Sequence, residues 1–261
     1  MLVFTGIEPT ADELADYYRS YPAHGDLSPV TMKRFNELLD RFEPYRKTGK
    51  MIDVGCGAGH FLQLAAGRGW AVHGTEFGVN TVAACRAKGI DIFEGPLDPN
   101  NYEAGSFDVV CSFEVVEHLT HPVEEWARMA SLLRPGGLLY ATTPNYKCVS
   151  HFVAKGEWSV VNYPEHLNYF TPRTLKALAQ SQGFRKKWLV TTGVTPQRLF
   201  SSRTSTTAER QHIGESQEEL RTRIEGNRML QGAKRSINAV LDLLKIGDSM
   251  KGGFEKPRLP Q

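Results

Sequence analysis

An α/β fold built on a doubly wound, parallel sheet is predicted by three observations on this chain of 261 residues. Short apolar runs of strand length alternate with longer stretches of helical spacing through the middle of the chain. Proline or a hydroxyl residue opens several of the helical stretches, and glycine closes them. One apolar run, Met51-Ile52-Asp53-Val54, delivers the backbone into a turn carrying three alternating glycines, Gly55, Gly57 and Gly59.

Residues 11–47 read as a helical cap ahead of the sheet. Leu14, Tyr17, Tyr18 and Tyr21 mark one aromatic face, and Phe35, Leu38, Leu39 and Phe42 mark another after a break at residues 22–29. Each tyrosine has an apolar body and a polar tip, so the first face either closes over a ligand or packs on the sheet.

The glycine turn leads into a helix through Phe61, Leu62, Leu64, Ala65 and Ala66. Glycines let the main chain approach a ligand closely, and the helix N-terminus beyond them offers unpaired N–H groups, so something polar belongs there. The spacing is not that of a dinucleotide fingerprint, because the third glycine comes one place early and His60 stands where that motif wants glycine. The next strand, residues 70–75, ends in Glu76. An acid about twenty residues past a glycine loop is placed to take both hydroxyls of a ribose. A nucleoside fits these two features, as does a packing turn beside an unrelated surface Glu.

Residues 79–88 read as the following helix, stopped by Gly89, and residues 90–93 as a brief strand. Residues 107–111 form a buried strand, residues 122–133 a helix begun at Pro122, and Arg134-Pro135-Gly136-Gly137 a turn into the strand 138–142. Ligands of such sheets lie beyond the carboxyl ends of the strands, where Gly55, Glu76, Ser112 and Thr143-Pro144-Asn145 fall. Thr171 caps a helix over 172–182, Gly183 stops it, and a strand follows at 184–191. Residues 195–246 read as a polar insertion, regaining helical spacing through Ile224, Leu230, Ile237, Val240, Leu241 and Leu244. That face is expected to pack on the body or on a second copy, making a homodimer. The organisation is a cap over 1–48, a core over 49–194, the insertion over 195–246 and a closing segment over 247–261, together one domain.

Lys and Arg number 31 against 29 Asp and Glu, a net charge of +2 that disfavours nucleic acid as a partner. Arg185, Lys186 and Lys187 are too few to change that. The four cysteines, Cys56, Cys85, Cys111 and Cys148, form no C-x-x-C pair and read as small buried thiols in a reducing compartment. Residues 1–10 carry Glu8 and no basic start, and no long apolar run occurs, so a soluble cytoplasmic protein with no membrane partner is expected.

The ordered set Ile52-Asp53-Val54-Gly55-Cys56-Gly57-Ala58-Gly59, then Glu76, then Phe107-Asp108-Val109-Val110, then Leu132-Leu133-Arg134-Pro135-Gly136-Gly137 resembles the class I S-adenosylmethionine-dependent methyltransferases. The resemblance covers roughly residues 40–192, and residues 247–257 resemble the final antiparallel strand of that fold. It implies a mostly parallel, seven-stranded Rossmann-like sheet. It also implies that Gly55, Cys56, Gly57 and Gly59, with Asp53 at the head of the motif, pass under the methionine part of S-adenosyl-L-methionine. Glu76 would hold the ribose, Phe77 and the Pro96-Leu97 pair would flank the adenine, and Ser112 would lie near the amino-acid end. The family's usual polar residue after the third strand is absent, leaving apolar contact and backbone hydrogen bonds for the adenine. A sulfonium carries its own leaving group, so the protein must chiefly align the acceptor and exclude water.

Phe113-Glu114-Val115-Val116-Glu117-His118 carries the acceptor chemistry. On a helical turn Glu114, Glu117 and His118 share one face, and two adjacent acids call for something positive between them. The phrase, with the later His166, resembles two metal-dependent branches of the fold, the plant-type small-RNA 2′-O-methyltransferases and the ubiquinone-pathway O-methyltransferases. That likeness implies Glu114, Glu117, His118 and His166 as ligands of Mg²⁺, Mn²⁺, Fe²⁺ or Zn²⁺. Without a metal, His118 or His166 is left as a general base or a packing residue. His24, His60, His73, His121, His151 and His212 read as surface or packing residues. Tyr146, Trp158, Tyr163 and Tyr169 suggest an aromatic-lined pocket. The sequence therefore predicts methyl transfer to a hydroxyl of a small molecule, phenolic or sugar-like. An RNA 2′-hydroxyl, an N- or C-acceptor, and a cofactor-binding protein without turnover stand as the alternatives.

Overall fold

The structure, a computed structural model, describes residues 3–10, 13, 27–194, 224 and 226–258. The elements run β1 (Val3–Phe4), α1 (Pro29–Phe42), β2 (Lys50–Val54), α2 (His60–Gly67), β3 (Ala71–Glu76), α3 (Val79–Ala87), β4 (Asp91–Glu94), β5 (Phe107–Phe113), α4 (Pro122–Leu132) and β6 (Leu133–Pro144). They continue with α5 (Val149–Ala154), β7 (Asn168–Tyr169), α6 (Pro172–Ser181), β8 (Arg185–Thr192), α7 (Arg228–Leu244) and β9 (Ser249–Glu255). Seven strands form one sheet in the order β4-β3-β2-β5-β6-β9-β8. The pairs from β4 to β6 are parallel, and β9 lies antiparallel between β6 and β8. This is the mostly parallel, seven-stranded sheet expected from the motifs.

The core follows from the period of two along each strand. Ile52, Val110 and Leu139 point to one face, where Trp126, Met129, Leu175 and Phe254 pack. Their neighbours Met51, Val109 and Leu138 point to the other, against Leu39, Phe42, Phe61 and Leu62. The helices begin where local chemistry starts them. Ser28 accepts from the Thr31 N–H ahead of Pro29, and Thr171 makes a capping box with Thr174 ahead of Pro172.

A buried carboxylate ties the entrance of the sheet together. Asp108 Oδ2 accepts from the backbone N–H groups of Lys47, Thr48 and Gly49 at 2.7–2.8 Å, and Oδ1 accepts from Arg134 Nε at 2.5 Å. Both oxygens of this buried charge are thus hydrogen-bonded and one faces a guanidinium, the condition for burying it.

Several element boundaries differ from the sequence reading. The helix in the described part of the cap covers Pro29–Phe42, followed by a 3-10 turn at Glu43–Tyr45. The tyrosine face at Leu14, Tyr17, Tyr18 and Tyr21 lies outside the described residues. Strand β6 opens at Leu133 instead of Leu138, and the Arg134-Gly137 turn becomes a bulge where the register jumps from Phe107↔Leu133 to Val109↔Leu138. The insertion helix starts at Arg228, capped by Asn227. The antiparallel pairing of β1 with β7 has no counterpart in the sequence reading, because two residues carry no periodicity. No helix among the described residues is long and apolar enough to cross a membrane.

Candidate active site

The carboxyl ends of β2, β3 and β5 meet at the glycine loop. Gly55 and Cys56 both donate their N–H to the Thr75 carbonyl at 3.0 Å, which folds the loop back over β3. All three glycines have positive φ, +73° at Gly55, +53° at Gly57 and +70° at Gly59. Their reasons differ. A Cβ at Gly55 would stand 2.6 Å from Val115 Cγ2, and one at Gly59 would stand 2.5 Å from Ile90 Cδ1, whereas Gly57 has nothing within 4 Å. Gly55 and Gly59 serve packing; Gly57 opens onto free space.

Glu76 closes the loop from the other side. Its Oε2 accepts from the Gly57 N–H at 2.9 Å, and its Oε1 accepts from the N–H groups of Phe77 and Gly78. Asp53 is buried beneath, with Oδ1 lacking a hydrogen-bond partner, and burial followed by the charge of Glu76 drives its carboxyl well above the usual carboxylate range. Ser112 is buried as well, with an unpartnered hydroxyl. Two acids, orphaned polar atoms and open space at Gly57 fit a nucleoside that carries positive charge, as S-adenosylmethionine does.

The remaining cofactor expectations are placed less evenly. Phe77 is exposed beside the loop, while Leu97 is 2% exposed and belongs to the main core. Leu97 can therefore offer a ligand little besides its main chain. Cys56 directs its thiol inward, and the Cys85 thiol donates to the Gly57 carbonyl at 3.2 Å.

Where the sequence places the acceptor, the geometry corrects the expected helical turn. Residues 114–118 are not a helical turn: Glu114, the first residue after β5, has φ +52° and is exposed, while its N–H donates to Thr142. A left-handed, non-glycine residue breaks the helical spacing, so Glu114 does not share a face with Glu117 and His118. What the structure brings together is Glu117, His118 and His166, whose ligand atoms all lie within 4.8 Å of one another. The Glu117 carbonyl accepts from both Leu167 and Asn168 N–H groups, which seats the segment bearing His166 against the turn bearing His118.

Both imidazoles are aimed by backbone. His118 Nδ1 pairs with the Glu165 carbonyl at 2.7 Å, and His166 Nδ1 with the Val160 carbonyl at 2.5 Å, so Nδ1 of each ring donates to the backbone and Nε2 is left for another partner. His118 Nε2 lies 3.9 Å from Glu117 Oε1. Burial, with the neighbouring His166 adding to it, lowers His118 to about 4. Burial and then Glu114 raise Glu117 well above its ordinary value; the Thr143 hydroxyl alongside opposes this without reaching hydrogen-bond geometry, and both Glu117 oxygens lack a partner.

The aromatic pocket is also corrected. Trp158 and Tyr169 are buried in a small core with Cys148 and Val160, and Tyr146 packs onto it, its ring 4.2 Å from His151. Only Tyr163 of the four is exposed. Asn145 is likewise structural, its amide donating to the Lys245 and Gly247 carbonyls. Sequence reasoning placed Thr143 at the ligand end of the sheet but missed the Val160 and Glu165 carbonyls and the Thr75 anchor. The carbonyls leave no trace in side-chain identity.

A family description of a methyltransferase domain matches residues 29–187. The ubiquinone biosynthesis O-methyltransferase of Thiobacillus denitrificans is 28% identical over 159 residues, 56% of this chain and 68% of that protein. Other relatives so named are matched over 40–62% of their length. Among solved structures, a SAM-dependent methyltransferase from Archaeoglobus fulgidus superposes with a TM-score of 0.57 at 18% identity, covering 87% of this chain and 93% of that one. Haemonchus contortus phosphoethanolamine N-methyltransferase 2 in complex with S-adenosyl-L-methionine gives 0.55 at 21%, over 87% and 53%. With the family match spanning the glycine loop, Glu76 and the whole parallel half of the sheet, this chain belongs to the methyltransferase-domain family and is a class I S-adenosylmethionine-dependent methyltransferase.

Proposed function

We propose that this methyltransferase acts on a hydroxyl of a small molecule, and that Glu117, His118 and His166 hold a divalent cation beside it. The observation carrying the proposal is the convergence of three donor atoms within 4.8 Å around a buried carboxylate whose oxygens have no partner. Such a carboxylate is costly to bury unless it gains a proton or a cation. The lowered pKa of His118 leaves that imidazole neutral at neutral pH, with no proton to give the carboxylate, and neutral imidazole is the form a metal takes. A base near pKa 4 accepts protons poorly at neutral pH, so the same geometry does not favour His118 as general base.

Bound there, a cation would lower the pKa of the acceptor hydroxyl. The residues of this chain do the rest: the Glu165 and Val160 carbonyls fix the imidazole orientations, and Glu76 and the glycine loop hold the cofactor. The names of the ubiquinone-pathway relatives agree with an oxygen acceptor. The near-neutral charge of the chain argues against RNA.

The test is S-adenosylhomocysteine formation with phenolic, catechol and sugar acceptors, in protein loaded with Mg²⁺, Mn²⁺, Fe²⁺ or Zn²⁺ and in chelator-treated protein. Turnover restricted to the metal-loaded form and to hydroxyl acceptors is the expected result. Full turnover after chelation sinks the cation, and turnover with amines alone sinks O-methylation.

A further inference from the structure

Helix α7 is amphipathic, and it is turned the reverse of the usual way. Polar side chains dock it on the end of β8: Asn238 Oδ1 accepts from Gly193 N–H at 2.9 Å, Asp242 Oδ1 accepts from Thr191 N–H at 2.7 Å, and Lys245 Nζ beyond the helix donates to the Leu189 carbonyl at 2.9 Å. Leu241 alone among its residues is buried. Met229, Leu230, Ile237, Val240, Leu243 and Leu244 all face outward, with Met229 84%, Ile237 57% and Leu243 81% exposed. At roughly 100° per residue these six fill an arc about 140° wide, the stripe that a surface helix ordinarily lays on the core.

The borders of that stripe are basic. Arg228 and Arg235 lie beyond one edge and Lys234 beyond the other, whereas Lys245 is held to the body by the Leu189 carbonyl and by Asp242, the only acid of the helix, which is turned to the body as well. We propose that this face of α7 docks the enzyme on an anionic lipid surface, the apolar residues entering the headgroup boundary and the basic borders meeting lipid phosphates. A second copy laid antiparallel on the stripe would set each Arg-bearing edge against the same edge of its partner, like charge against like. An anionic bilayer meets both edges with opposite charge. The sequence expectation of no membrane partner rested on the lack of a spanning run, and a helix lying in the interface needs none.

The experiment is flotation of the full chain with phosphatidylcholine vesicles, with and without phosphatidylglycerol, alongside light scattering of the free protein. The chain is expected to float with the phosphatidylglycerol vesicles, less so at high salt. An Ile237→Asp/Val240→Asp variant is expected to stay in the soluble fraction while its melting temperature and cofactor affinity match the parent. An Arg228→Glu/Arg235→Glu variant should lose the preference for anionic vesicles. The proposal is overturned if the parent floats with neither vesicle, or if the double Asp variant floats as well as the parent. It is equally overturned if the parent is a dimer that the Asp substitutions dissociate, which would make a second copy the occupant.

Discussion

Glu76 Oε2 accepts a hydrogen bond from the Gly57 N–H at 2.9 Å, so the acid expected to bind the ribose already organises the glycine loop. Loop order and cofactor affinity are coupled through one side chain. Glu76→Ala should weaken S-adenosylmethionine binding on the order of 10–100-fold, the range for losing charge-assisted hydrogen bonds. Calorimetric titration checks it, and unchanged affinity would remove Glu76 from the cofactor site.

Two glycine substitutions should separate packing from binding. Gly55→Ala drives a Cβ to 2.6 Å from Val115 Cγ2 at φ +73°, so it should lower the melting temperature as well as the affinity. Gly57→Ala meets nothing within 4 Å and carries only the left-handed strain of about 1 kcal/mol. It should leave the fold close to intact and still impair the cofactor. Equal melting temperatures and equal affinities in both variants would refute the distinction.

His118→Ala and His166→Ala are each expected to abolish turnover while cofactor affinity stays within a factor of about two, far below a tenfold step of 1.4 kcal/mol. Glu117→Gln should do the same and, in chelator-treated protein at neutral pH, raise the melting temperature, since it removes a buried carboxylate without partners. A Glu117→Gln variant that turns over normally would show that this carboxylate is outside the chemistry.

Asp108 sets an acid limit to stability. Burial alone would raise its carboxyl, but the Lys47 N–H, the Arg134 guanidinium and the Gly49 N–H outweigh that and leave it below the usual range. A depressed folded pKa contributes stability that is complete above the unfolded value of about 3.9 and is lost as pH falls through the folded value. Asp108→Asn should cost about 3 kcal/mol at neutral pH, because it removes the carboxylate paired with Arg134 and leaves that guanidinium only the Tyr45 and Pro135 carbonyls. Its stability should also change less than the parent's between neutral pH and the acid limb. Denaturant unfolding at a series of pH values measures both, and parallel curves would rule out Asp108 as the titrating group.

The parallel strands, the glycine loop and Glu76 were legible in the sequence because period-two burial and glycine spacing are local signals. The proposed acceptor side was legible only in its residue types. Glu117, His118 and His166 do meet, but Glu114 takes a left-handed backbone that a spacing rule built on helices cannot foresee. The tyrosines and Trp158 looked like pocket lining because an aromatic list does not say whether rings face a ligand or one another. Their packing is set beside β1 and β7, two short strands about 165 residues apart in sequence that pair in the register Val3↔Tyr169 and Phe4↔Asn168. The outward stripe of α7 was visible as helical spacing, and only the polar anchors Asn238 and Asp242 reveal which way it is turned.

The insertion of β9 between β6 and β8 also fixes an order of events during synthesis. Among the described residues β8 pairs with β9 alone, and β9 begins at Ser249, after the whole of α7 has been made. A nascent chain that has completed the parallel half of the sheet must therefore carry β8 and the edge of β6 unpaired until β9 emerges. That interval leaves two strand edges without their partner, and unpaired edges are templates for mispairing.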